Sequence, residues 1–110
     1  MDVKNVYEVV GIRMIKGDTM KFSISFDTAT TLASADFTAK NIDTGTVVFH
    51  KSLSDGITQN QGGSYTVRVA PADTSSLAEG RYSYDLQIGI GEDIYTLLIG
   101  ALDIFSGMTE

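Results

Sequence analysis

Arg81-Tyr82-Ser83-Tyr84-Asp85-Leu86-Gln87-Ile88-Gly89-Ile90 is the stretch on which the fold turns. Tyr82, Tyr84, Leu86, Ile88 and Ile90 fall on every second position, and the residues between them are polar or glycine. A helix turns about 100° per residue and would scatter this apolar set, whereas a strand puts it all on one face. The stretch therefore reads as a half-buried β-strand with one dry side. The same period of two runs through residues 20–26, where Met20, Phe22, Ile24 and Phe26 alternate with Lys21, Ser23 and Ser25. It returns in residues 64–69, where Tyr65, Val67 and Val69 alternate with Ser64, Thr66 and Arg68. Weaker strand patterns occupy residues 9–15, 37–42, 46–51 and 94–105.

Turn chemistry separates these segments. Gly17-Asp18, Asp43-Thr44-Gly45, Asp55-Gly56, Gly62-Gly63 and residues 89–93 supply side chains that tolerate positive φ or bond their own backbone. The clearest hairpins expected are residues 37–51 and 82–104. One stretch, Pro71-Ala72-Asp73-Thr74-Ser75-Ser76-Leu77, reads as a short helical turn, with Pro71 pre-set for its first position and Leu77 aimed at the core.

A chain of 110 residues, 43% hydrophobic and 20% charged, fits one domain with a two-layer core and excludes a disordered segment. We read residues 1–110 as that single domain, without internal repeat or linker. The formal net charge of −6 repels phosphate backbones, so nucleic acid is not an expected partner. Cysteine is absent, which removes disulfides and thiolate metal sites. The first ten residues carry Asp2 and Glu8 and lack a basic start followed by an apolar stretch, so no signal peptide is expected and synthesis is placed in the cytoplasm. No run of about 18 apolar residues offers a membrane span.

Gly80-Arg81-Tyr82-Ser83-Tyr84 resembles the corner of immunoglobulin domains, where a Tyr near the start of a strand stands two residues before a core position usually held by Cys. On that reading Tyr82 takes the corner and Tyr84 the core position. The expected fold is all-β: an immunoglobulin-like antiparallel β-sandwich of about seven to eight strands, with one short helical turn near residues 71–77.

The order of motifs carries a further resemblance. Ile15-Lys16-Gly17-Asp18-Thr19-Met20-Lys21-Phe22 is followed by Asp27, by Phe37-Thr38-Ala39-Lys40 and by Ile57-Thr58. Gly62-Gly63, Tyr65-Thr66-Val67, Pro71-Ala72-Asp73-Thr74, Leu77, Gly80, Tyr82 and Tyr84-Asp85 then come in succession. This order resembles the immunoglobulin-like domains of phage baseplates, above all the N-terminal domain of siphophage baseplate upper proteins. The stretch from Thr28 to Ala35 departs from the Gly-Pro turn and Asp-Leu-Thr-Gly run usual in that family. The resemblance implies a non-enzymatic structural or adaptor module of a bacteriophage or prophage virion, in the baseplate, tail or head. It implies other virion proteins as partners, a homo-oligomer, and location in the virion.

Asp43-Thr44-Gly45-Thr46 matches the aspartic-protease motif, in which two like-charged carboxylates share one proton, and Leu98-Ile99-Gly100 matches the apolar pair and Gly of dimeric forms. Against it, Lys40 and Asn41 interrupt the apolar strand such enzymes place before the motif, and Asp-x-Gly is an ordinary hairpin turn. His50, the single histidine, has no G-x-S-x-G to serve and reads as a strand surface residue. The aspartates near turns do not form the run that gathers roughly six to eight oxygens around calcium. Catalytic residues, metal and cofactor are therefore all expected to be absent. A carbohydrate-binding host-attachment module is the alternative reading, with Tyr7 and Tyr95 as its available aromatic platforms.

The final strand places apolar side chains on both of its faces. Either a bulge at Gly100 swaps the faces, or a partner covers the outer one. Val6, Tyr7, Val9, Leu98, Leu102, Ile104 and Phe105 are accordingly the candidate interface residues.

Overall fold

The computed structural model describes residues 8–26, 30–61 and 63–107. The candidates Val6 and Tyr7 lie outside them. The elements in chain order are β1 (Glu8–Val9), β2 (Ile12–Ile15), β3 (Met20–Ser25), β4 (Ser34–Asn41), β5 (Val47–Leu53), β6 (Gly56–Gln59), β7 (Ser64–Val69), α1 (Pro71–Thr74), β8 (Gly80–Ile90) and β9 (Asp93–Phe105). The hydrogen-bonded path runs β1-β9-β8-β4-β5-β6-β7-β3, and β2 also pairs with β9.

This path doubles over between β5 and β6, which share only the pairs Ser52–Gly56 and Leu53–Ile57. The result is two layers. A front sheet holds β1 and β2, then β9, β8, β4 and β5; a back sheet holds β6, β7 and β3. A three-stranded back sheet facing a front sheet built on three central antiparallel strands is the immunoglobulin-like arrangement. The fold is that all-β sandwich, with its one helical turn at Pro71–Thr74.

Period-two sequence makes both inner faces dry. Phe37, Leu86 and Leu102 from the front sheet, and Ile57, Val67 and Val69 from the back, have no solvent exposure. Phe22 of β3 meets Phe37 of β4 edge to face across the layers, with ring centroids 5.6 Å apart. Each such side chain, fully buried, contributes about 1.5–3 kcal/mol through removal of apolar surface from water.

Residues 82–90 form their strand with the expected inner face: Tyr82, Tyr84, Leu86 and Ile88 are buried, and Ile90 is half-buried. The Tyr82 hydroxyl donates to the Ala78 carbonyl at 2.8 Å, a bond to backbone just upstream that defines the tyrosine corner. The Tyr84 hydroxyl donates to the Val10 carbonyl at 2.6 Å.

Among the described residues the structure has nine strands rather than seven to eight, splits the expected strand 9–15 into β1 and β2, and ends the helical turn at Thr74. It departs from the sequence reading again at β6 and in β9. Gly56–Gln59 is a strand, although Asp55-Gly56 read only as a turn. Its partner β5 is reached through Ser54, whose φ of 66° lets the chain reverse within a few residues. The bulge in β9 lies at Leu97 rather than Gly100, because Leu86 pairs with Leu98 while Gln87 pairs with Thr96. Gly100 has a different task. A Cβ there would strike the Val10 carbonyl oxygen, so glycine lets the N-terminal strand lie against β9.

Candidate interaction surface

The bulge decides which side chains the front sheet offers to solvent. Before Leu97, Ile94 and Thr96 pair with the outward Gly89 and Gln87. After it, Ile99, Ala101 and Asp103 pair with the outward Asp85, Ser83 and Arg81. One inserted residue thus moves the outward set from even to odd positions. The inward set after the bulge is Leu98, Gly100, Leu102 and Ile104.

This corrects two of the candidate interface residues, Leu102 and Ile104. Both are fully buried in the chain's own core, and Leu98 is half-buried and packed against that core. Val9 and Phe105 stand outside, with exposures of 73% and 38%. Ile15, Ile42, Val47 and Ile94 are exposed as well and had no distinguishing mark in the sequence.

Residues 8–15 form a single lane along β9. Glu8 pairs with Leu98, Val9 with Ile99 and Ile15 with Phe105, all parallel and in one register. The Val10 amide joins the two short strands by donating to the Ile99 carbonyl at 2.9 Å. This lane brings Val9 beside Ile99, and Ile15 beside Phe105, on the outer face. Arg13 covers the Phe105 ring, its guanidinium carbon 5.0 Å from the centroid. Arg81 closes the polar flank with two bonds to the Asp103 carboxylate, at 2.7 and 3.1 Å. Those bonds hold the Asp103 carboxyl below its usual range, with the Arg81 charge adding to the effect. At the lower end, the backbone N–H of Ser106 donates to Glu79 at 3.0 Å and lowers that carboxyl in the same way. Burial pushes the Tyr84 phenol up, so it remains a donor to Val10.

The residues considered for catalysis are dispersed. Asp43 and Thr44 sit on the exposed β4–β5 turn, where their amides donate to the Asn41 side-chain oxygen at 2.8 and 3.1 Å. That is an Asx-type turn, and it accounts for Asp-Thr-Gly locally. His50 lies on the outer face of β5, its Nε2 2.7 Å from Asp36 Oδ1. Among the described residues no group of three or more His, Asp or Glu side chains could hold a metal ion. Tyr95, considered as a sugar platform, is half-buried and packed against the core.

No family model matches the chain, and no curated protein matches it. Solved structures share its fold. An AA10 lytic polysaccharide monooxygenase from Streptomyces lividans superposes with a TM-score of 0.56 at 7% identity, over 86% of this chain and 59% of that one. A family 123 glycoside hydrolase from Clostridium perfringens gives 0.53 at 9% identity, over 93% of this chain and 24% of that one. A structure of voltage-gated sodium channel beta subunits, described for multimeric cell-adhesive interactions, gives 0.50 at 12% identity, over 97% and 98% of the two chains. The chain therefore spans little more than half of the monooxygenase and about a quarter of the hydrolase. At such identities the likeness is one of fold.

Proposed function

We propose that this chain is a non-enzymatic structural or adaptor module of a bacteriophage or prophage particle, acting through protein–protein contacts in a homo-oligomer or with neighbouring virion proteins. The observation that supports it is the apolar row Val9, Ile15 and Phe105, held outward at the margin of the front sheet. An exposed apolar row on a scaffold of strands suits docking better than turnover. The order of sequence motifs supplies the phage context, with the virion as the proposed location.

Two measurements test the two halves of this reading. Light scattering on the purified chain is expected to show an oligomer that dissociates when Val9→Asp and Phe105→Asp are combined. A monomer at high concentration, with no virion protein captured, overturns the assembly half. Mass spectrometry of particles purified after prophage induction is expected to detect the chain; its absence from them overturns the virion half.

A further inference from the structure

The two sides of the sandwich end differently. On one side the β5–β6 pairing ties the sheets together. On the other, β3 pairs only with β7 among the described residues, so one row of its backbone N–H and C=O groups has no described partner. This edge is regular through its whole length, from Met20–Val69 to Ser25–Ser64, without a bulge or a proline. Its inward side chains Met20, Phe22 and Ile24 touch the core yet remain half-exposed, because no described strand lies beyond them.

The outward row has a distinct chemistry. Lys21 stands directly opposite Arg68, and both are exposed. Like charges at opposed positions repel, and neither makes an ion pair among the described residues. The back-sheet strands β3, β6 and β7 contain no carboxylate, in a chain whose net charge is −6. Lysine on an edge is a common guard against strand pairing, but Arg68 sits on the central strand of this sheet and guards nothing. The row continues in hydroxyls: Ser23 Oγ lies 3.3 Å from Thr66 Oγ1, which also accepts from Asn60 Nδ2 at 2.8 Å. No aromatic ring belongs to this row.

We infer that the β3 edge receives an extended acidic segment of a partner protein as a fourth strand of the back sheet. Its inward side chains are apolar and complete the row Met20, Phe22 and Ile24. Its outward side chains are carboxylates that lie beside Lys21 and remove the repulsion from Arg68. The inference deepens the adaptor reading and rests on it, by stating which surface a partner uses and what chemistry that partner carries.

The test uses a synthetic eight-residue peptide alternating valine and glutamate, titrated into the isotope-labelled full chain. Amide shifts confined to β3 and β7, with slowed exchange of β3 amides, are expected. A peptide with lysine for glutamate is expected to bind at least about tenfold more weakly, and Lys21→Glu with Arg68→Glu to reverse that preference. Shifts on the front sheet instead, equal binding of both peptides, or equal binding of hexaglutamate each overturn strand addition. Preferential binding of a sulfated hexasaccharide overturns the protein partner. A dimer of the free chain whose β3 amides are already protected also overturns it. None of these outcomes bears on whether the chain is found in particles.

Discussion

The side of the sandwich closed by β5 and β6 and the side bounded by β2 and β3 are built from similar alternating sequence, yet they differ in kind. On the closed side, Lys51 reaches from β5 to α1, where its Nζ lies 2.7 Å from Asp73 Oδ2. That oxygen also accepts from the Ala70 amide at 2.7 Å, so one carboxylate fixes the start of the helical turn and the crossover to it. The Lys51 and Asp73 side chains are 13% and 18% exposed, which limits the competition from water. On the open side β2 pairs with β9 and β3 with β7, and among the described residues these two margins share no strand pairing. The same period of two therefore serves both a side whose sheets are joined by β5–β6 pairing and a side whose described strands make no such pairing.

The largest expected effect breaks the closed side. Gly56 has φ of 98°, and an added side chain there meets the Lys51 stem. Gly56→Val is expected to cost about 3 kcal/mol, combining strain with displacement of the Lys51–Asp73 contact. A drop in the urea midpoint with unchanged slope checks this; retention of the wild-type midpoint rejects the cross-link as the closing device.

A smaller loss is expected on the open side. Gly100→Ala pushes the Val10 carbonyl off β9 and with it the Tyr84 hydroxyl bond, for about 2 kcal/mol. Hydrogen exchange should then quicken in residues 8–15 while β5 to β7 keep their protection. If protection falls equally in all strands, the two sides are not separable units.

The smallest effect is one of pH. Arg81 hydrogen-bonds Asp103 and lowers its folded-state pKa, so this contribution to stability is present above the ordinary carboxylate range. It is lost as pH falls through the lowered value. Asp103→Asn should therefore lower the neutral plateau slightly and leave the low-pH end unmoved, which flattens the acid limb of the stability–pH curve. An unaltered acid limb shows that the Arg81–Asp103 pair adds nothing on this exposed flank.

The comparison also shows which features sequence reading could reach. Alternation alone marked the inner faces of β3, β7 and β8, because a strand with one wet side needs no other information. The corner at Tyr82 was legible for a similar reason, since its partner carbonyl lies four residues upstream. The exposed apolar residues were harder. Leu98, Leu102 and Ile104 looked equivalent to Phe105 until the pairing of β8 with β9 placed the bulge at Leu97. The strand β6 was hidden because its pairing with β5 requires a non-glycine residue at positive φ, which no pattern at Ser54 announces.

By itself the sequence determined the layered all-β sandwich and most of its buried side chains, because burial of alternate residues is a local property of each strand. The tertiary structure alone decided which apolar residues remain outside, which edge is sealed, and where Lys21 meets Arg68. Those outcomes depend on register between distant strands, and a shift of one residue in register exchanges the inner and outer faces.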